Sequence, residues 1–322
     1  MAVVIKTNLE SMIVQKNLNS ATNSLNTAIE RMSTGYKLNH ASDNAANYSI
    51  SNSWITKLGS LDIATENASM GKDLLSTSEE NYGLLTGHLQ RIRDLTEQAA
   101  NGTYGSASLK AIQSEIKSRL EEITRIAKSA EFNDISLMSG SSFVANGINL
   151  QVGLSAADDS IIKLSSTLFS DATVNGLFKS DSAFMTIVTA ANGGTAISDL
   201  NTDDGYNAVS GAFSGLKKSG DKWIIQKDAG KMPKDTLAAI DSALTDISNR
   251  VTTLGSAQNR VDSAISSLGV QTQNLTASLS TIRDADVAKE SSAYIQSQIL
   301  QQASATLLAT ANQAPSIALS LI

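Results

Sequence analysis

The stretch that most restricts this fold lies towards the carboxy-terminal end, where apolar residues return at 3-4-3-4 spacing: Leu237, Ile240, Leu244, Ile247, Val251, Leu254, Gln258, Val261, Ile265, Leu268, Thr272, Leu275, Leu279 and Ile282. Twelve of these fourteen positions are apolar. A heptad stripe kept that long predicts a helix of roughly 70 Å at about 1.5 Å per residue, and such a helix needs a partner of similar length. The amino-terminal half supplies one, because the same rhythm runs through Leu61, Ala64, Ala68, Gly71, Leu75, Ser78, Tyr82, Leu85, Leu89 and Ile92. Gly71 and Ser78 suggest close backbone approach. This helix is expected to stop near Asn101-Gly102, and a second to begin about Ser106 or Ser108 and bury Leu109, Ile112, Ile116, Leu120 and Ile123. The expectation is a mainly α chain with a long antiparallel coiled-coil bundle of distant segments, its intramolecular contacts including Leu75, Leu85, Ile92, Leu244, Val251, Ile265 and Leu275.

The middle of the chain reads differently. Eleven of the twenty glycines lie between Gly140 and Gly230, and the prolines are Pro233 and Pro315. Asn146-Gly147 precedes the alternating Ile148, Leu150 and Val152, and Ile162 and Leu164 follow an Asp158-Asp159 turn, which predicts β-hairpins. From about 179 to 234, short apolar runs such as Phe184–Val188 and Trp223-Ile224-Ile225 are separated by Gly, Asn and Asp, the pattern of a small inserted mixed α/β or β domain.

The two ends carry stripes of another kind. Val14, Leu18, Ala21, Leu25, Ala28 and Met32 keep helical spacing among Asn, Ser and Thr, so this helix is marginal alone and forms when its stripe finds a partner. Every residue from Ser291 to Ile322 is uncharged, with Ile295, Ile299, Ala303, Leu307 and Ala311 on one helical face. Gln301, Gln302, Ser304, Thr306, Thr310, Asn312 and Gln313 interrupt that face too often for a bilayer core. Neither stripe is expected to be covered within one chain. Burial between copies, in a head-to-tail contact that extends into a helical filament, fits both. Leu18, Leu25, Met32, Ile295, Ile299, Ala303 and Leu307 are the expected polymerisation seams.

Composition narrows the function classes. A formal charge of −6 with 17% charged residues leaves no basic cluster for a phosphate backbone, so nucleic acid is not an expected partner. The absence of cysteine excludes disulfides, thiolate metal sites and cysteine nucleophiles. The Met1–Lys6 run is too short for a secretory signal, and nothing reaches the roughly 18 consecutive apolar residues that would indicate membrane insertion. His40 and His88, the two histidines, have no neighbouring ligands at metal spacing. Asp199, Asn201 and Asp203 begin like a calcium loop, but Asp204 stands where glycine is needed and Ser210 where the bidentate acid is needed, which favours a turn. The S-x-x-K matches Ser69-Met-Gly-Lys72 and Ser214-Gly-Leu-Lys217 are what a serine-rich chain produces by chance. No catalytic constellation emerges, no cofactor is implied, and the expectation is a structural protein rather than an enzyme.

Specific motifs join this reading. Asn8-Leu-Glu-Ser-Met12, Glu30-Arg-Met-Ser-Thr-Gly35, Ser42-Asp-Asn-Ala-Ala46, Gln90-Arg-Ile-Arg-Asp-Leu95 and Ala99-Ala-Asn-Gly-Thr103 resemble the amino-terminal half of bacterial flagellin. Leu254–Arg260, Ile282–Asp286, Gln298–Ala303 and Ala311–Pro315 are similar to its carboxy-terminal half. Asn44 departs from the second Asp that many members carry, and the usual terminal Arg does not follow Leu321-Ile322. The resemblance implies an inner core from 1–43 with 287–322, an outer core from 44–178 with 235–286, and a variable surface insert at 179–234. It also implies a homopolymeric flagellar filament and export through the flagellar secretion apparatus without a cleaved signal. The implied partners are an export chaperone, a filament cap and hook-filament junction proteins. A junction protein of the same superfamily is the alternative reading. Arg91, Leu95 and Glu115 match the positions by which many flagellins engage the vertebrate Toll-like receptor for flagellin; Arg91 and Leu95 are one turn apart and off the Leu89–Ile92 seam, so they are expected outside the intramolecular core.

Overall fold

The computed structural model describes residues 8–140, 146–155, 157–192, 197–219, 222–225 and 231–319; the readings of Met1–Lys6 and of Leu321-Ile322 lie outside the described residues. Helices α1 (Leu9–Thr34), α2 (Ala45–Ala99) and α3 (Ser106–Ser129) lead into strands β1 (Glu131–Phe132), β2 (Ile135–Ser136), β3 (Ile148–Gln151) and β4 (Ile161–Leu164). Then come α4 (Val174–Phe178), α5 (Ser182–Ala191), α6 (Asp203–Ser214), β5 (Leu216–Ser219), β6 (Lys222–Ile225), α7 (Lys231–Arg283) and α8 (Val287–Leu319). The chain divides into two compact units, Leu61–Gly269 and Met1–Ser60 with Val270–Ile322, so the divisions fall inside α2 and α7.

In the first unit the heptad prediction holds residue by residue. Along α7, Ile240, Ile247, Leu254, Val261 and Leu268 are buried, while Leu244, Val251 and Ile265 on the alternate position are half-buried against the same core. On α2, Leu61, Ala64, Ala68, Leu75, Ser78, Tyr82, Leu85, Leu89 and Ile92 are all buried. Lys72 meets Asp262 at 2.7 Å, Gln258 donates to Glu79 at 2.8 Å and Arg93 meets Asp241 at 2.7 Å. Partner numbers fall on α7 as they rise on α2, so the helices run antiparallel. These exposed polar pairs add little stability but mark the register. Serine and threonine, so frequent here, are accommodated because hydroxyls such as those of Thr65, Ser78 and Thr96 donate to the carbonyl four residues back.

α3 returns along α2 after a short turn and buries each of its five expected apolar residues. Above it, β1–β2 closes through Asn133 and Asp134, both at positive φ, the geometry that suits a two-residue hairpin turn. β3–β4 pairs Ile148 with Leu164 and Leu150 with Ile162, as the alternation predicts. The Leu150 side chain occupies the space a Cβ on Gly71 would need, so the glycine on the α2 seam is what lets the hairpin lie down on the helix. The loop after β4 is tied into the bundle by two polar anchors: the Tyr82 hydroxyl donates to the Leu168 carbonyl at 2.8 Å, and the largely buried Arg250 guanidinium donates to the Ser170 carbonyl at 2.9 Å.

The 179–234 segment is mixed α/β. Its Phe184–Val188 run lies on α5, and α5, α6 and the β5–β6 hairpin pack together. Phe178, Phe184 and Phe213 cluster with ring centroids 5.3–5.7 Å apart, Phe184 stacked on Phe213 and Phe178 edge-on to Phe213. α6 lies on α3, where Lys117 meets Asp203 at 2.7 Å. The insert therefore shares one continuous apolar core with the bundle. Asp199 and Asn201 are used up locally: Asn201 and Asn175 both donate to the Asp199 carboxylate at 2.9 Å, which makes the segment a hydrogen-bonded turn.

In the second unit α1 and α8 pair side by side. The Asn8 side chain caps α1 by accepting from the Ser11 amide at 3.0 Å and donates to the Ala311 carbonyl at 2.8 Å. Gln301 donates to Thr22, and Arg31 reaches Glu290 at 3.4 Å, so the pair is antiparallel. α1 ends at Gly35 with φ 75°, the left-handed stop that glycine adopts without strain. There the α1–α2 connection is clipped to the α7–α8 break. The Lys37 amide donates to the Arg283 carbonyl and the Ala285 amide to the Gly35 carbonyl, both at 2.8 Å, with the Arg283 guanidinium 3.9 Å above the Tyr36 ring.

Candidate assembly surface

In the α1–α8 pair the fully buried positions are small, and many large apolar residues are left exposed. Ala21, Ala28, Ser297 and Ser304 are the buried positions, with Leu18, Leu25, Tyr294, Gln301 and Leu308 half-buried beside them. Leu9, Met12, Ile13, Ile29 and Met32 on α1, and Ile295, Ile299, Leu300 and Leu307 on α8, are between 39% and 62% exposed. Ala303 is exposed with them. Large apolar side chains exposed in this number are unusual for a soluble monomer.

This arrangement corrects the expectation that the α1 stripe has no partner within its own chain. Leu18 and Leu25, half-buried, share with the buried Ala21 and Ala28 the face that packs against α8. Met32 remains exposed. On α8 the expected Ile295, Ile299, Ala303 and Leu307 are exposed, whereas the face turned to α1 carries Tyr294, Ser297, Gln301, Ser304 and Leu308, at heptad spacing but largely polar. A search for apolar periodicity passes over that second stripe; the signal for it was the recurrence of small Ser at seven-residue spacing.

Arg91 on α2 and Glu115 on α3 come together. Their side chains are 47% and 37% exposed, and the Arg91 Nε donates to Glu115 Oε1 at 3.0 Å. Arg119 donates to the same oxygen at 3.1 Å, and these hydrogen bonds, that from Arg91 first, hold the Glu115 carboxyl below its ordinary value. Leu95 does not join them: it is 2% exposed, in the core of the bundle. The expectation that it lies outside the core is corrected. A helix with two partners buries more than one 3-4 seam, and Leu74 and Leu95 belong to a further stripe.

His40 Nε2 lies 3.0 Å from Glu30 in the α1–α2 connection, and His88 is partly buried on α2. Among the described residues no group of three or more His, Asp or Glu is placed to hold a metal ion, and no helix is long and apolar enough to cross a membrane.

Comparison with known proteins gives these surfaces a context. Residues 5–142 match the family model described as the bacterial flagellin N-terminal helical region, and residues 237–322 match that of the bacterial flagellin C-terminal helical region. Flagellin D of Vibrio anguillarum is 32% identical over 376 aligned positions, and Flagellin D of Vibrio cholerae serotype O1 is 33% identical over 383; both alignments cover all of each chain. A crystal structure of Bacillus cereus flagellin aligns at 22% identity and a TM-score of 0.40, covering 66% of this chain and 94% of that one. With two family models spanning both ends and relatives matched over their full length, the chain belongs to the flagellin family.

Proposed function

We propose that this chain is the structural subunit of a bacterial flagellar filament, polymerising head to tail into the helical tube that drives swimming. The observation that carries the reading is the α1–α8 pair, whose fully buried positions are the small Ala21, Ala28, Ser297 and Ser304 while Met12, Ile13, Ile295, Ile299 and Leu307 remain exposed. A monomer gains nothing from that order, whereas a copy laid against it buries Met12, Ile13, Ile295, Ile299 and Leu307 at once. On this reading 1–43 with 287–322 form the inner core, 44–178 with 235–286 the outer core, and 179–234 the surface insert. Work is done by assembly and torque transmission rather than catalysis. The subunit reaches the cell exterior through the flagellar secretion apparatus, with an export chaperone, a filament cap and junction proteins as partners. Purified monomer added to sheared filament seeds tests it: elongation visible by electron microscopy is expected. A chain that caps seeds without lengthening them is instead a junction protein, and one that ignores them is neither.

Recognition of the monomer by the Toll-like receptor for flagellin is a second proposal, supported by the exposed Arg91–Glu115 pair. Because Leu95 is in the core, Leu95→Asp would disrupt the bundle and tell nothing about contact. Arg91→Ala with Glu115→Ala is the informative variant, and an unchanged dose response in receptor reporter cells would reject the idea.

A further inference from the structure

We infer that His88 is an acid-responsive joint between α2 and α3, where uptake of a proton loosens the packing of the two helices. His88 occupies the stripe Leu74, Asn81, His88, Leu95, whose outer members are buried. The Arg91–Glu115 contact marks the register of the two helices. One turn back from Arg91 on α2 is His88, and one turn on from Glu115 on α3 is Arg119, with Glu122 and Arg125 beyond. The imidazole Nδ1 is shut off from solvent and has no hydrogen-bond partner.

A neutral ring leaves one nitrogen unsatisfied there. A protonated ring leaves an N–H without an acceptor and adds a positive charge beside two guanidinium groups. The charges that bear on it are Arg119, Glu122 and Arg125, all from α3. None offers a free anion nearby: Glu122 is held by Arg125 through contacts of 2.6 and 2.8 Å, and the carboxylate bound by Arg119 is Glu115, shared with Arg91. Burial first, and then the Arg119 charge, accordingly press the His88 pKa below its ordinary 6.5.

The sign follows from proton counting. Between the folded value and 6.5 the unfolded chain binds the extra proton, so stability is full above about 6.5, declines as pH falls through that window, and has lost this contribution below the folded value. Glu115 and Glu122 also have lowered values, but their contribution starts to decline only near the ordinary 4.5, which separates the two effects.

The test uses the full-length monomer, whose two histidine ring signals can be followed by NMR and assigned with His40→Gln. The His88 signal is expected to titrate below 6.5, and the melting temperature to drop by roughly 2–4 °C between about pH 7 and pH 5. That drop should shrink by about half or more in His88→Gln and persist in His40→Gln. A His88 midpoint at or above 6.5, or an equal drop in wild type and His88→Gln, overturns the inference. If His88→Gln does not fold, the wild-type titration decides alone.

Discussion

The bundle of α2, α3 and α7 and the pair of α1 with α8 are written in the same heptad rhythm but bury side chains of different size. In the bundle, Leu75, Leu85, Leu89 and Ile92 meet Ile240, Ile247, Leu254 and Val261 in a closed core. In the pair, the fully buried described positions are alanine and serine, Leu18, Leu25 and Leu308 are half-buried beside them, and Met12, Ile13, Ile295, Ile299 and Leu307 stay exposed. Periodicity therefore says that a residue belongs to a seam, and side-chain size says whether the chain closes that seam itself. Large residues need a deep groove formed by two neighbours; small ones let two helices approach and leave the large ones for a further partner.

The sharpest way to break this contrast is to charge the outer face. We predict that Ile299→Asp lowers seeded elongation by roughly tenfold or more while leaving monomer helicity intact, because the cost falls on the contact with another copy. Equal loss of monomer stability and elongation would contradict it. Next in size, Leu85→Ala should cost the monomer about 3 kcal/mol as a cavity in a closed core, whereas Ile299→Ala should stay within about 0.5 kcal/mol. Denaturant titration of the two monomers compares them directly.

Gly71→Leu sharpens the contrast within the bundle, since its side chain must displace Leu150; a loss of about 1–3 kcal/mol is expected, with exchange protection falling first in β3–β4. Arg250→Met removes the donor to Ser170 and should cost about 1–3 kcal/mol through the orphaned carbonyl, loosening the loop after β4. The smallest effect belongs to Asp43, whose carboxylate accepts from the His40 and Asn39 amides and titrates below its ordinary 3.8 as a result. Its contribution is present above about 3.8 and is lost as pH falls through the folded value. Amide exchange at Asn39 and His40 should rise there, and an unaltered profile in Asp43→Asn would show that the cap holds nothing in place.

The long helices were legible because a single dominant period runs through dozens of residues, and glycine and serine mark a junction at Gly102 and Ser106. The β3–β4 hairpin was legible from its alternation. β1–β2 was not, since strands of two residues carry no period. Leu95 was misplaced because counting one seam per helix ignores the second neighbour. The inner face of α8 was missed because Ser297, Gln301 and Ser304 look like surface. In the insert the apolar runs were visible, but their joining to the core of α3 depends on tertiary contacts such as Phe178 with Phe213 that no local pattern records.

The clip between Gly35–Lys37 and Arg283–Ala285 has a mechanical consequence. Because the interruption after α1 is bonded to the interruption before α8, neither helix can slip lengthwise by a residue unless both bonds break together. An axial pull on one helix is thus shared by the other at its base, and the two behave under load as a single doubled strut.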